Sequence, residues 1–201
     1  MTWALLFLAY LLGATPTSYL AGRLVYGIDL REHGSGNLGA TNVFRVLGWK
    51  AAVPVGLVDI AKGWLPTALF PGWDAAAGQE WALAYGAAAI VGHVFSVYVK
   101  FRGGKGVATS AGVFIALAPW AVLAGLVAWL AAVAMTRIVS LGSLLAAATL
   151  PVAVFLTGEP ASTLWLAIGL ALFVFYAHRS NIGRLIRGEE NRFGRQERSA
   201  P

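Results

Sequence analysis

The chain has 201 residues, of which 58% are hydrophobic and only 12% charged, with no cysteine and a mean hydropathy of +0.70. A soluble globule devotes about 25% of its residues to Asp, Glu, Lys and Arg, so a water-soluble fold is excluded. The absence of Cys removes disulfides, thiolate metal sites and a cysteine acyl-enzyme, and His33, His93 and His178 are too scattered for metal-ligand spacing; we expect no catalytic metal and no other cofactor.

About twenty apolar residues cross a bilayer as a helix. Five such runs cover residues 1–21, 51–70, 81–99, 138–156 and 161–177. The first is read as a span and not a signal peptide, because it has no basic leader and no small-residue cleavage pattern. Between the third and fourth runs lies an apolar tract at residues 107–135, interrupted by Pro119. Proline lacks a backbone donor and clashes with the preceding turn, so the tract is expected to break there into a hairpin of two short helices. Each arm would have about 12 to 16 residues, roughly 18 to 24 Å.

Charge placement agrees with that break. If the tract enters and returns, 14 of the 15 basic residues lie on one side, Glu159 and the Asp74/Glu80 turn lie on the other, and only Lys62 falls inside a span. The positive-inside rule makes the basic side cytoplasmic. The expected fold is an all-α integral membrane protein with seven transmembrane helices, five full spans plus the hairpin at Pro119. Its N-terminus is external and its C-terminus cytoplasmic. The whole chain, 1–201, forms one membrane-embedded domain with a charged, solvated tail at 188–201. Net charge +6 so placed favours anionic lipid or an anionic substrate over nucleic acid.

Four polar stretches fall on the cytoplasmic side. Residues 34–42 read Gly-Ser-Gly-Asn-Leu-Gly-Ala-Thr-Asn, followed by Arg45. Ser35, Asn37, Thr41 and Asn42 with Gly36 and Gly39 suit a tight loop that presents N–H groups and hydroxyls to an anion, although Thr41 or Asn42 can equally serve as a helix N-cap. Residues 100–109 place Arg102, Gly103, Gly104, Lys105 and Gly106 at the start of an apolar helix, a plausible phosphate cradle that lacks Walker A spacing. At residues 137–143, Ser140 and Ser143 share a helix face, where serine commonly bonds its own backbone. At residues 178–184, His178 and Asn181 are three apart at the end of the last span. Asp59 and Lys62, also three apart, are expected to pair inside the bundle because an isolated charge at mid-bilayer costs about 2.5 to 3.5 kcal/mol. His33 and His93 are read as structural.

The blocks SGNLGATN with Arg45, KFRGGKGVAT and HRSNIGR, in that order and together with LVDIAKG and TRIVSLGS, resemble the PlsY family of bacterial membrane acyltransferases over essentially the whole chain. The resemblance implies transfer of a fatty acyl group from acyl phosphate to the 1-hydroxyl of sn-glycerol 3-phosphate, giving lysophosphatidate and phosphate in phospholipid biosynthesis at the inner membrane. It also implies a transient contact with the soluble enzyme that makes acyl phosphate. On this reading Ser35, Lys105, His178 and Asn181 are the catalytic candidates. Lys105 with Gly103, Gly104 and Gly106 holds a phosphate and stabilises the leaving group, with Arg102 beside it. Ser35, Asn37 and the N–H groups near Gly36 bind the oxyanion or the donor phosphate, in a loop completed by Gly39, Thr41 and Asn42. Arg45, Ser143, His178 and Asn181 orient glycerol 3-phosphate. Attack is direct, and either His178 or substrate phosphate takes the proton. The rival classes are a transporter for a phosphorylated solute, which would place its site near the midplane, and a lipid-binding scaffold, which would leave SGNLGATN without a role.

Overall fold

The computed structural model describes residues 1–74 and 78–192, so Arg195 and Arg198 of the expected tail lie outside the described residues. Helix α1 (Thr2–Ala14) ends where Pro16 removes a backbone donor and holds Thr15 out of the helical region. The chain resumes as α2 (Thr17–Leu20) and a π-helical turn, Ala21–Val25, bent by 44° from α1. The expected continuous first span is therefore a broken one.

A loop at residues 26–39 leads to α3 (Ala40–Leu47), and Gly48, at φ +83°, turns the chain into α4 (Trp49–Trp73). Helix α5 (Gln79–Val94) continues into a 3-10 turn, Val97–Val99, and a loop that ends at Gly106. The apolar tract breaks as expected at Pro119, which occupies the first turn of α7 (Pro119–Thr136) after α6 (Val107–Leu117). The arms are unequal: α6 has 11 residues, whereas α7, with 18, is long enough to cross on its own. Helix α8 (Val139–Leu156), α9 (Ala161–Ala177) and α10 (Arg179–Ile186) complete the chain, with a 60° bend between the last two. Among the described residues, four helices are long and apolar enough to cross a membrane, or six if each bent pair is one span; α6 is a shorter apolar helix.

Close approach of backbones builds the bundle. A Cβ added to Gly13 would lie 2.1 Å from the carbonyl oxygen of Ala89, and one added to Gly92 would lie 2.2 Å from that of Tyr10, so α1 and α5 meet through reciprocal glycines. Helices α4 and α6 do the same: the added Cβ of Gly63 would be 2.1 Å from Thr109 O and that of Gly112 1.9 Å from Ile60 O. Apolar burial adds little between helices already in lipid, so such contact surfaces rely on packing and small residues. Val113, Phe114, Leu150, Val154, Ala167 and Leu170 fill the space among α6, α8 and α9. A second cluster, with Leu30, Leu38, Val43, Ala52 and Val55, lies under the 26–39 loop and seats it on α3 and α4.

Gly112→Val should therefore lower stability by about 3 kcal/mol, since the clash is with backbone and cannot be relieved by rotation of a side chain. Gly169 in α9 has open space where its Cβ would stand, and Gly169→Ala should raise helix stability by up to about 1 kcal/mol. Thermal unfolding in detergent compares the two.

Candidate active site

The 26–39 loop, the 95–106 loop, the start of α8 and the α9–α10 junction meet at one end of the bundle. Asn42, 1% exposed, organises the first of these. Its Oδ1 accepts from the Ser35 N–H at 2.8 Å and the Ser35 Oγ at 3.1 Å, while Nδ2 donates to the carbonyls of Leu30 and His33, both at 3.1 Å. The Asn42 amide is thus engaged in holding the loop, and its N-cap position falls to Gly39. Gly34 (φ +61°) turns directly over Asn42, where a Cβ would approach Oδ1 to 2.4 Å. A second brace comes from buried Asp29, which accepts from Arg31 Nη2 at 2.6 Å and Arg23 Nη2 at 3.2 Å. The Arg31 hydrogen bond holds the Asp29 carboxyl well below the usual carboxylate range.

The 95–106 loop is set against the end of α5. Gly103 N–H donates to Val94 O at 2.9 Å and Gly104 N–H to His93 O at 3.2 Å. A phosphate held by Lys105 with Gly103, Gly104 and Gly106 would therefore not be bound by the N–H groups of Gly103 and Gly104, which α5 takes up. They are glycines because the chain lies on α5: a Cβ on Gly103 would sit 1.9 Å from His93 O. Just before them, Lys100 (φ 57°) and Phe101 (φ 59°) are both left-handed, a conformation that L side chains adopt only under local constraint. Gly106, at φ +83°, starts α6. The two loops enclose a cavity of about 570 Å³ lined by Arg31, Glu32, Gly36, Asn37, Lys100, Arg102 and Gly103. Arg31 is spoken for by Asp29, which leaves Lys100 and Arg102 against Glu32 and a net positive lining that suits an anion.

Beside this cavity stands a hydrogen-bonded wall. Lys105 Nζ donates to Asn181 Oδ1, and Asn181 Nδ2 donates to Glu190 Oε1 at 2.6 Å. Glu190 also accepts from Ser140 Oγ at 2.9 Å and Arg184 Nε at 2.6 Å. Glu190 corrects the reading of 188–201 as a wholly solvated tail: it is buried, because Gly188 (φ +71°) reverses the chain after α10. The signal for it in the sequence was a glycine followed by two acids in an otherwise arginine-rich tail. On α8 the network takes Ser140, whereas Ser143 Oγ donates to Val139 O within its own helix at 3.1 Å. Arg45 and Thr41 are exposed on α3. Among the described residues, no group of three or more His, Asp or Glu side chains is placed to hold a metal ion.

Electrostatics distinguish the two central groups. Burial, opposed by Glu190 and reinforced by Arg184, Arg45 and Arg179, lowers Lys105 to about 8. Burial and the nearby Lys105 cation lower His178 to about 4, so its imidazole is neutral at physiological pH. His178 Nδ1 lies 2.8 Å from Val174 O. A carbonyl accepts only from N–H, which puts the proton on Nδ1 and leaves Nε2 as an acceptor. For Glu190, burial raises the carboxyl pKa, but the hydrogen bonds from Asn181, Arg184 and Ser140 outweigh it and the net shift is downward.

Because the folded protein holds Glu190 ionised, its stabilising effect is present above the ordinary carboxylate value of 4.5 and is lost as pH falls through the lower folded value. Glu190→Gln should cost about 2 kcal/mol near neutrality and flatten this acidic slope, as read from thermal unfolding against pH.

Comparison with known proteins agrees with the motifs. The sequence model of the family described as glycerol-3-phosphate acyltransferase matches residues 3–188. A protein of that name from Trichlorobacter lovleyi is 46% identical over 185 residues, covering 92% of this chain and 94% of its own. One from Synechococcus elongatus is 46% identical over 199 residues, covering 96% and 95%. The crystal structure of PlsY (YgiH), an integral membrane glycerol 3-phosphate acyltransferase, in its glycerol 3-phosphate form superposes with a TM-score of 0.90 at 38% identity, covering 96% of each chain. Its lysophosphatidic acid form gives 0.87 at 37% identity, covering 96% of this chain and 95% of the other. With its apolar helical bundle, its polar blocks gathered at one end and these relatives along its whole length, the chain belongs to the glycerol-3-phosphate acyltransferase family of membrane acyltransferases.

Proposed function

We propose that the chain transfers a fatty acyl group from acyl phosphate to the 1-hydroxyl of sn-glycerol 3-phosphate, at the cytoplasmic face of a bacterial inner membrane. The observation that carries this reading is the wall of Lys105, Asn181 and Glu190 beside a basic cavity, with a neutral His178 nearby. Both substrates carry phosphate, and both suit cationic, glycine-rich loops at a membrane surface. The related PlsY crystallised in glycerol 3-phosphate and lysophosphatidic acid forms supports the acceptor and the product. Charge supports the orientation: apart from Lys62, the Lys and Arg residues fall in the segments on the side of the polar blocks, and the positive-inside bias favours a cytoplasmic site end with an external N-terminus.

In the proposed reaction the hydroxyl oxygen attacks the acyl carbon and forms the ester bond. The bond from that carbon to the phosphate oxygen breaks, and inorganic phosphate leaves. Lys105, held by Asn181, stabilises charge that gathers on the departing phosphate. The N–H groups of Ser35 and Gly36 are bound to Asn42 Oδ1 and to the His33 carbonyl, which corrects the expectation that they face an oxyanion or the donor phosphate; donor contacts fall to the Ser35 hydroxyl and Asn37, in the loop that runs on through Gly36, Gly39 and Thr41, and to Arg102 of the facing loop. Arg45 and Ser143 lie on the acceptor side. His178 Nε2 accepts from the hydroxyl and orients it. A group with a pKa of about 4 is a weak base at neutrality, so a phosphate oxygen of the substrate takes the proton. Acyl phosphate, an apolar chain with an anionic head, arrives through lipid or by transient contact with the soluble enzyme that makes it.

Purified protein in lipid should form lysophosphatidate from glycerol 3-phosphate with acyl phosphate and not with acyl-CoA; product with acyl-CoA alone would overturn the donor, and no product with either would overturn the reading. The kcat/KM profile should fall as pH rises through about 8, as Lys105 loses its proton. Lys105→Arg should remove that limb at reduced activity. His178→Gln should lower kcat about 100-fold through misplacement of the hydroxyl, leaving the profile near neutrality unchanged in shape; a changed limb there would restore His178 as the base.

A further inference from the structure

Asp59 and Lys62 of α4 and His93 of α5 form a charged cluster inside the spans, each no more than 6% exposed. Lys62 Nζ lies 2.7 Å from Asp59 Oδ1 and donates to Thr15 O at 2.9 Å, at the break after α1. His93 Nδ1 is 3.8 Å from the same Asp59 oxygen. The other side of the ring faces the active-site loops: a Cβ on Gly104 would lie 2.3 Å from His93 Nε2 and 2.8 Å from Leu38 O. A small void of about 10 Å³ beneath this contact is bordered by Thr15, Lys62, His93 and Gly104.

A buried ion pair is a costly way to hold helices together, since apolar residues of the same volume often give equal or greater stability. This one lies beneath the spot where the loop carrying Ser35 and the loop carrying Lys105 touch, with the His93 ring between. Gly104 immediately precedes Lys105, and its N–H is bound to the His93 carbonyl. The path from Asp59 and Lys62 to the His93 ring, to the Leu38 and Gly104 contact and on to Lys105 is continuous. We propose that Asp59, Lys62 and His93 are positioning residues for the acyl transfer: from within the membrane they set the height of the Gly103–Gly104 segment against Leu38, and thereby the reach of Lys105. This rests on the acyltransferase reading for its kinetic consequence, but not for its structural one. On this proposal the cluster acts through the loop and not by touching substrate. Its effect is on placement, where an error of about 1 Å can cost about 100-fold in rate.

The test compares Asp59→Asn, Lys62→Met, the Asp59→Asn/Lys62→Met double variant, His93→Gln and His93→Leu in full-length protein reconstituted in lipid. Three quantities are read: thermal stability, kcat and KM for both substrates, and hydrogen exchange of the peptide covering residues 94–106. Each single charge variant should be less stable than wild type, because it leaves one buried charge alone. The double variant should regain stability yet keep kcat at least about tenfold down, with faster exchange in the 94–106 peptide. Regained stability with wild-type kcat and exchange would overturn the proposal and make the pair a packing element. If the double variant stays unstable, the histidine variants decide: His93→Gln, which keeps a polar tip under Gly104, should retain kcat within about threefold, whereas His93→Leu should lose about tenfold or more at matched stability. Equal kcat and exchange in the two would overturn it. Should wild-type protein form no lysophosphatidate, the acyltransferase reading fails, and exchange in the 94–106 peptide alone decides whether the cluster holds the loop.

Discussion

Hydrocarbon offers no hydrogen-bond partner, and this one constraint shapes the whole molecule. Each backbone N–H and C=O within the membrane has to find its partner in the chain, so helices are the solution and irregular backbone is confined to the ends or to protein-lined interior. The bundle then needs cohesion that apolar burial does not supply in lipid. Reciprocal glycines on α1 and α5, and again on α4 and α6, let backbones touch and fix the helices to each other. Loops that leave such a frame start from defined positions, and that is what makes a site built from loops geometrically stable.

At the site end, two side chains take on the organising task that helices perform elsewhere. Asn42 satisfies four partners in the first loop, and Glu190 joins α8, α10 and the Asn181–Lys105 contact. Both are buried polar groups whose desolvation is offset only because their hydrogen-bonding capacity is largely used. The same burial that makes these hubs effective lowers the proton affinity of Lys105 and His178. Structure and reactivity therefore share one cause: a partly dry, densely hydrogen-bonded wall next to an open basic cavity. A lysine held near its point of deprotonation and an imidazole held neutral are groups whose proton affinity responds to nearby charge.

Much of this was legible in the chain. Span lengths follow from bilayer thickness, and the last two spans match the structure almost to the residue, because their apolar runs end abruptly at charged or helix-breaking residues. Pro119 predicted the α6–α7 break through its missing donor and its clash with the preceding turn. Pro16 carries the same signal and breaks the first apolar run, whereas Pro54, Pro66 and Pro71 sit within an unbroken α4. Local chemistry thus misleads in both directions when neighbouring helices hold the backbone in place. The polar blocks were visible because polar residues are rare in such a composition, but their division of labour was not. Spacing alone put Ser140 and Ser143 on one face and could not say which would meet Glu190.

The sequence by itself determined the membrane class, the approximate spans, the family and the identity of the polar blocks, since these depend on composition, local sterics and motifs contiguous in the chain. Only the tertiary structure decided that the amides of Gly103 and Gly104 bond to α5, that Asn42 secures its own loop, and that Glu190 returns from beyond the last helix to the Lys105 wall. It also decided that the Asp59–Lys62 pair lies beneath the 26–39 and 95–106 loops and that His93 meets Gly104 and Leu38 where they touch. Each of these depends on segments distant in the chain meeting at a particular height and angle, and that follows from how the helices pack, a property no single stretch of sequence contains.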